Sequence, residues 1–303
     1  MANALPKHRQ VSVLHHLCEG NTLRSTSRLT GVHRTTITNL MVRFGSHCKL
    51  LMDEKLRGLT LGHVQIDETW TYVLKKQARL TLEERAERSD IGDIYLWTCL
   101  DTETKLIATH LVGKRSADNA RKLLMDLAGR LVFPSPHAAD DHAYEQGSYQ
   151  QIAQISTDAF PGYPEAVDLA FGPYAKYGQI IKNYRNASMN YEPSEMIATE
   201  LRGIAGIDPN ELWTICTSHV ERHNLTIRTF MKWFTRLSLG FSKKLENLQA
   251  ALSGFLAYYN FCWRPRYPDH SGQSGRLRPT PAMMAGVVSK RWHFEDLFDA
   301  AMS

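Results

Sequence analysis

The stretch LGHVQIDETWTYV at residues 61–73 predicts the strand from which the fold can be built outward. It is rich in β-branched and aromatic side chains, which strands favour. The apolar residues Val64 and Ile66 lead into Asp67, so this carboxylate is expected in a sheet interior rather than on open surface. Its neighbour Glu68 is expected on the opposite sheet face, because side chains alternate along a strand.

The residues that follow predict an α/β domain. Residues 94–113 predict a hairpin of two strands with a turn at residues 101–104, and residues 120–131 carry an amphipathic helical stripe. Residues 152–157 predict a fourth strand that runs into Asp158. An antiparallel hairpin followed by a helical crossover to another strand resembles the ribonuclease-H-like fold, a mixed sheet flanked by helices.

Less regular sequence follows the fourth strand. Residues 177–184 predict a fifth strand, whereas residues 185–212 lack clear periodicity and predict an irregular insertion. Apolar residues at helical spacing predict a long helix from Ser218 to about Leu237, and a partner helix over residues 245–259.

The N-terminal residues predict three short helices arranged as a helix-turn-helix. The second helix begins after Asn21 or Thr22 and ends at Gly31, and its Leu29 is expected to face the third helix. In a helix-turn-helix the last helix enters the DNA major groove, although a plain three-helix cap gives the same pattern. The exposed residues of the third helix that would contact DNA are His33, Arg34, Thr35, Thr36, Thr38 and Asn39.

Charge is distributed unevenly along the chain, although the net charge is only +5. Lys and Arg exceed Asp and Glu by 6 in residues 1–60 and by 10 in residues 222–292, whereas acids exceed bases by 8 in residues 61–221. Two basic flanks around an acidic centre indicate a polyanion held by the ends and a cation held in the middle. A nucleic acid and a divalent metal fit this pattern, and an unevenly charged solvated surface is the alternative.

Composition excludes several classes of protein. Hydrophobic residues make up 43% of the 303 residues and charged residues 22%, which is typical of a globular chain. No apolar run approaches the ~18 residues of a membrane span, so no membrane partner is expected. The five cysteines form no CxxC pair and the first ten residues contain no apolar signal core, so a cytoplasmic protein without disulfides is expected.

Three acidic residues are the candidates for catalysis and metal binding: Asp67, Asp158 and Glu221. Strand ends and helix ends can converge at one edge of such a sheet, and close carboxylates need cations to offset their repulsion. Hard oxygen ligands suit two Mg²⁺ or Mn²⁺ ions, which activate a water or 3′-hydroxyl for phosphodiester chemistry. Arg228 and Lys232 are expected on the same helix face as Glu221.

Several motifs carry a resemblance to a known family, over residues 61–262. They are Asp67-Glu68-Thr69-Trp70, Thr157-Asp158 before an aromatic turn, Val220-Glu221-Arg222-His223-Asn224-Leu225 with Arg228, and LSLGFSKK at 237–244 ahead of Tyr258-Tyr259-Asn260. Together they resemble the insertion sequence one family of bacterial DDE transposases. The resemblance implies a two-metal site made by Asp67, Asp158 and Glu221, with His223, Asn224 and Arg228 near the substrate.

The resulting hypothesis divides the chain into a helix-turn-helix domain at 1–57, a catalytic domain at 58–262 and a basic linker with a C-terminal element at 263–303. The chain would be a transposase that binds double-stranded DNA at element terminal repeats and at the target. It would act as at least a homodimer and associate with the nucleoid. Lys232 would lie near the substrate, and further contacts to DNA phosphates would come from Arg236, Lys243 and Lys244. The alternatives are a helix-turn-helix regulator without catalysis and a ribonuclease-H-like nuclease.

Overall fold

A mixed sheet of six strands forms the centre of the protein. The computed structural model describes residues 5–133, 152–185, 195–235, 238, 240–264 and 279–303. The strands are β1 (His63–Val73), β2 (Gly92–Asp101), β3 (Ile107–Gly113), β4 (Ala153–Asp158), β5 (Ala175–Arg185) and β6 (Glu195–Ala205). The predicted α/β class, with a mixed sheet flanked by helices, is confirmed.

The strand order is β3-β2-β1-β4-β5-β6. β2 pairs antiparallel with both β1 and β3, as the predicted hairpin requires. β4 lies between β1 and β5 and is parallel to both, and β6 adds an antiparallel strand at the edge. This arrangement is compatible with a ribonuclease-H-like fold.

Ten α-helices are found among the described residues. They are α1 (Lys7–Cys18), α2 (Leu23–Thr30), α3 (Arg34–Lys55), α4 (Leu82–Glu87), α5 (Ala117–Ala128), α6 (Tyr163–Phe171), α7 (Ser218–Phe230), α8 (Leu245–Phe261), α9 (Pro281–Met284) and α10 (Phe294–Met302). None of them is both long enough and apolar enough to cross a membrane.

Helix α2 begins and ends where the sequence predicts, whereas α1 begins earlier, at Lys7, and α3 is not short but runs on to Lys55. Thr22 caps α2 by accepting a hydrogen bond from the Ser25 N–H (3.1 Å), and Gly31 ends it at φ 68°, in the left-handed region that glycine tolerates. The prediction for Leu29 is wrong, because this side chain is 62% exposed while Thr26 is buried. A role of these helices as a helix-turn-helix remains a prediction.

Helix α3 packs tightly against α8. A Cβ on Gly45 of α3 would lie 1.9 Å from the Ala250 carbonyl oxygen of α8, so only glycine allows the two backbones to approach this closely. Phe44 and Phe255, one from each helix, are buried in the hydrophobic core that also contains the sheet residues. The N-terminal helices therefore share a core with the sheet domain.

Two predictions about residues 185–237 are wrong. Residues 195–205 form strand β6 instead of part of an irregular insertion. Their pattern has no alternation because an edge strand with both faces exposed has no buried side to impose a period. Helix α7 ends at Phe230, since Met231 takes an extended conformation, so Lys232 lies in a separate 3-10 turn rather than on the helix face of Glu221.

Candidate active site

The parallel register of β1 and β4 brings two of the candidate carboxylates together. The ladder between these strands ends where Gln65 lies opposite Ser156. Two residues further along, on the same face of each strand, are Asp67 and Asp158. The two carboxylates therefore lie side by side where the strands separate, despite the long chain segment between them.

Gln65 fixes the helix that carries the third carboxylate. The side-chain oxygen of Gln65 accepts hydrogen bonds from the N–H groups of His219 (2.9 Å) and Val220 (3.0 Å), in the first turn of α7. The residue that precedes α7, Thr217, gives this helix no side-chain cap. A strand residue thus caps the helix from outside, which sets the position of Glu221 one residue further on.

A second hydrogen bond joins α7 to β1 one helical turn later. The side-chain amide of Asn224 donates to Asp67 Oδ2 at 2.7 Å. The two strand residues that receive these bonds are two positions apart, which spans ~6.6 Å, and four residues of helix span ~6 Å. Because the two repeats match, α7 runs alongside β1 with Asn224 held on the Asp67 carboxylate.

All three candidate carboxylates line one open cavity of about 390 Å³. Two cationic side chains, Arg115 and Lys182, line it as well. The structure therefore brings Asp67, Asp158 and Glu221 to a single site, although they come from two strands and a helix.

Each of the two cations pairs with one of the carboxylates. Arg115 donates from Nη2 to Asp158 Oδ2 at 2.7 Å, and its guanidinium lies 4.6 Å from the centre of the Phe160 ring. Lys182 of β5 forms an ion pair with Glu221, which also accepts a hydrogen bond from the Thr217 hydroxyl at 2.6 Å. In the metal-free protein these cations partly offset the repulsion among the acids.

The Glu68 carboxylate lies close to two of the candidate acids, although Glu68 is not among the residues that line the cavity. Carboxylate oxygens of Asp67, Glu68 and Asp158 all lie within 4.8 Å of one another. The Glu68 side chain is 3% exposed and pairs with Arg115 Nε at 3.4 Å. Arg115 therefore connects Glu68 with Asp158, since its guanidinium pairs with both carboxylates.

Burial and nearby carboxylates raise the pKa values of Asp67 and Glu68. Burial, together with the nearby Asp158 and Glu221 carboxylates, raises the pKa of Asp67 to about 7. Burial and the Asp158 carboxylate likewise raise the pKa of Glu68 to about 7, against the opposing effect of Arg115. These carboxyl groups are therefore poised to lose protons when a cation enters the site.

The other residues expected near the substrate lie in different surroundings. His223 is buried and packs edge-on against Tyr259, with ring centres 4.6 Å apart, and burial lowers its pKa to about 3. Arg228 is half-buried in the last turn of α7. Lys232 is exposed and donates to the Thr229 carbonyl at 3.0 Å. None of the three is among the residues that line the cavity around Glu221.

A separate groove of about 810 Å³ lies between the N-terminal helices and residues 230–247. Among the described residues its lining contains four cationic side chains, Arg24, Arg34, Lys232 and Lys243, and no Asp or Glu. The predicted DNA-contacting residues that line it are His33, Arg34, Thr35, Thr38, Asn39 and Lys243. We name this surface the basic groove.

The remaining predicted DNA contacts lie elsewhere. Thr36 is exposed on α3, and Lys244 is exposed immediately before α8, and neither lines the basic groove. Arg236 falls outside the described residues.

Three residues of the site were not predicted from the sequence: Gln65, Arg115 and Lys182. Gln65 carries the one available signal, since it is a polar residue between two apolar ones and has the same strand parity as Asp67. Nothing adjacent in the sequence distinguishes Arg115 or Lys182, because each acts on an acid from a distant segment.

Comparisons with known proteins give little that bears on this site. No protein-family model matches the chain, and no curated protein matches it. One solved structure that the chain resembles is the crystal structure of a pre-cleavage Mos1 transpososome, with a TM-score of 0.25 and 9% sequence identity. The likeness covers 85% of this chain and 79% of that chain. A likeness this weak shows neither a shared fold nor a shared function.

Proposed function

We propose that this chain is a DDE transposase of the insertion sequence one type, which cuts and joins DNA strands at the ends of a mobile element. The observation that carries the proposal is the convergence of Asp67, Asp158 and Glu221 on one open cavity. Side chains with nucleophilic sulfur or hydroxyl groups are not needed, since metal-activated oxygen nucleophiles attack phosphodiesters directly.

The acids of the cavity fit divalent metal ions. Asp67, Glu68 and Asp158 offer closely spaced hard oxygen ligands, and the raised pKa values of the first two reflect burial first and the neighbouring carboxylates second. Mg²⁺ or Mn²⁺ bound by Asp67, Asp158 and Glu221 would lower the pKa of an attacking water or 3′-hydroxyl and stabilise the leaving oxygen.

The chain's own residues then have separate tasks. Gln65 and Asn224 hold α7 against β1 and so fix the distance between Glu221 and Asp67. Arg115 and Lys182 lie beside the carboxylates as donors for phosphate oxygens of a bound strand. They would be available for that contact when their carboxylate partners hold a metal ion.

The basic groove would bind the DNA that the site acts on. Four cations and no acid make its surface attractive to phosphates, and Thr35, Thr38 and Asn39 offer donors and acceptors suited to base edges. DNA binding by this groove would weaken steeply with salt.

Substitution of the acids tests the assignment. Asp67→Asn, Asp158→Asn and Glu221→Gln are each expected to reduce Mg²⁺-dependent nicking of supercoiled plasmid by ~10³-fold, because each removes a metal ligand. DNA affinity should stay within about twofold. The matched controls are Asp168→Asn and Glu83→Gln, at exposed positions outside the cavity, which should retain full activity. Full activity of any of the three cavity variants would overturn the proposal.

The same assay separates the alternatives. A regulator without catalysis would bind DNA but give no nicking with Mg²⁺ or Mn²⁺. A nuclease would nick the plasmid but would not join a labelled 3′-hydroxyl strand to it, whereas a transposase does both. We favour catalysis over a regulator because a protein that only binds DNA has no need of a cavity lined by three carboxylates.

A further inference from the structure

Strand β6 has an unpaired edge within the part of the chain that the structure describes. It forms one side of the six-stranded sheet and pairs with β5, and no other described strand pairs with it. Three large apolar side chains on it are exposed: Met196 (54%), Ile197 (54%) and Ile204 (43%). A long edge strand with exposed apolar residues is a ready template for another strand.

The regular part of this edge is short and well defined. The β5–β6 ladder shifts register at Tyr177/Gly178 and at Asn183/Tyr184, so its undistorted part on β6 is Ala198–Gly203. Bulges at both ends bend the strand and limit further pairing to this central part. About five residues are a usual strand length, so the segment is long enough to pair.

We propose that this edge pairs with the same edge of a second copy of the chain, in antiparallel orientation about a two-fold axis at Leu201. In an antiparallel ladder, two directly opposed residues are either both hydrogen-bonded to each other or both not. When a strand pairs with a copy of itself, the numbers of two opposed residues must therefore both be odd or both be even. The axis therefore passes through a residue, and only an axis at Glu200 or at Leu201 keeps five residues of the segment paired.

Charge selects between these two registers. An axis at Glu200 would place two glutamates directly opposite each other, which is unfavourable. An axis at Leu201 sets Glu200 opposite Arg202 of the second copy, and Arg202 opposite its Glu200. Within one chain these two side chains already share a face and pair at 3.0 Å, with both more than half exposed. The dimer would then carry a ladder of four alternating charges.

The pairing would also bring two active sites near one axis. Lys182 of the cavity lies opposite Thr199 in the β5–β6 ladder, so the cavity is one strand away from the proposed interface. Two copies would form one continuous sheet with a cavity on each side of the axis. The dimer is inferred from the edge itself and does not depend on the proposed chemistry.

Sedimentation equilibrium of the full chain without DNA tests the charge ladder. The wild type is expected to show a dimer of twice 34.5 kDa. Glu200→Arg and Arg202→Glu should each weaken dimerisation about tenfold, and the double variant Glu200→Arg/Arg202→Glu should restore it to within about twofold. Glu83→Arg on α4 makes the same charge change away from β6 and should have no effect.

Cysteine crosslinking tests the register. With the axis at Leu201, a Leu201→Cys variant faces its own counterpart at a Cα–Cα distance of ~4.5–5.5 Å, within disulfide range. Thr199→Cys faces Gly203 of the second copy and should not crosslink. A wild type that stays monomeric at ~100 μM, a folded double variant that does not regain dimerisation, or crosslinking of Thr199→Cys in preference to Leu201→Cys would each overturn the proposal.

Discussion

Replacement of Gln65 by leucine should loosen α7 from the sheet. The change removes the one acceptor for the N–H groups of His219 and Val220. Val220 is fully buried, so its N–H would be left without water or protein partner, whereas exposed His219 can regain water. A buried unsatisfied N–H costs ~1–3 kcal/mol and a lost hydrogen bond about 1 kcal/mol, but leucine also removes the buried Gln65 Nε2, which has no partner among the described residues. We therefore expect a net loss of ~1–2 kcal/mol in the free energy of unfolding.

The same change should lower catalysis more than it lowers DNA binding. A shift of ~1 Å in a catalytic group can cost about 100-fold in rate, and Glu221 is one residue beyond the capped N–H groups. Urea unfolding followed by circular dichroism, and plasmid nicking with Mg²⁺, measure the two effects. DNA affinity should change less than about twofold, because Gln65 is remote from the basic groove lining.

Thr69→Val is the matched control. Thr69 is also a buried polar residue of β1, but its hydroxyl has no hydrogen-bond partner among the described residues. Its replacement by an isosteric apolar side chain should leave stability unchanged or slightly improved. The reasoning is refuted if Gln65→Leu unfolds within about 0.5 kcal/mol of wild type and nicks DNA within about twofold of it.

Three further outcomes are expected. Gly45→Ala should destabilise the protein by more than about 2 kcal/mol, because its Cβ would overlap Ala250, whereas Gly254→Ala, with 3.4 Å to its nearest neighbour, should stay within about 1 kcal/mol in thermal unfolding. Asp67→Asn should stabilise the metal-free protein by ~1–2 kcal/mol at pH 8 but not at pH 4. The reason is that a folded-state pKa of about 7 for Asp67 makes the stability of the wild type fall as the pH rises from about 4 to 7. Equal effects at both pH values would contradict this. Arg115→Gln should tighten Mn²⁺ binding about two- to fivefold in calorimetry by removing the cation that competes at Asp158, and weaker binding would argue against that competition.

The sequence contains enough to predict most of the sheet and the convergence of the acids. Strands β1 to β5 each carry a recognisable run of β-branched or aromatic residues, and Asp67 and Asp158 each follow such a run. Because parallel neighbouring strands end at the same edge, their acids can be expected to meet without knowledge of the register.

Contacts made across the chain could not be predicted in this way. Arg115 forms an ion pair with Asp158, and Lys182 forms one with Glu221. Both cations come from segments whose sequence has no recognisable motif. The closeness of the Glu68 carboxylate to those of Asp67 and Asp158 could not be predicted, because strand alternation gives the face of a side chain and not how far its carboxylate reaches. The end of α7 was missed because the apolar residues Met231 and Phe234 continue the helical spacing while the backbone leaves the helix.

The close contact between α3 and α8 has a consequence for where the proposed DNA cleavage would occur. A flexible linker between a DNA-binding helix and a catalytic domain would let the cleavage position vary. Here Gly45 packs α3, the helix proposed to bind DNA, directly against α8 of the domain that holds the carboxylates. Rigid packing would then fix the distance between the recognised base pairs and the cleaved phosphodiester bond. A transposase that cuts each element end at the same nucleotide would need such a constant distance.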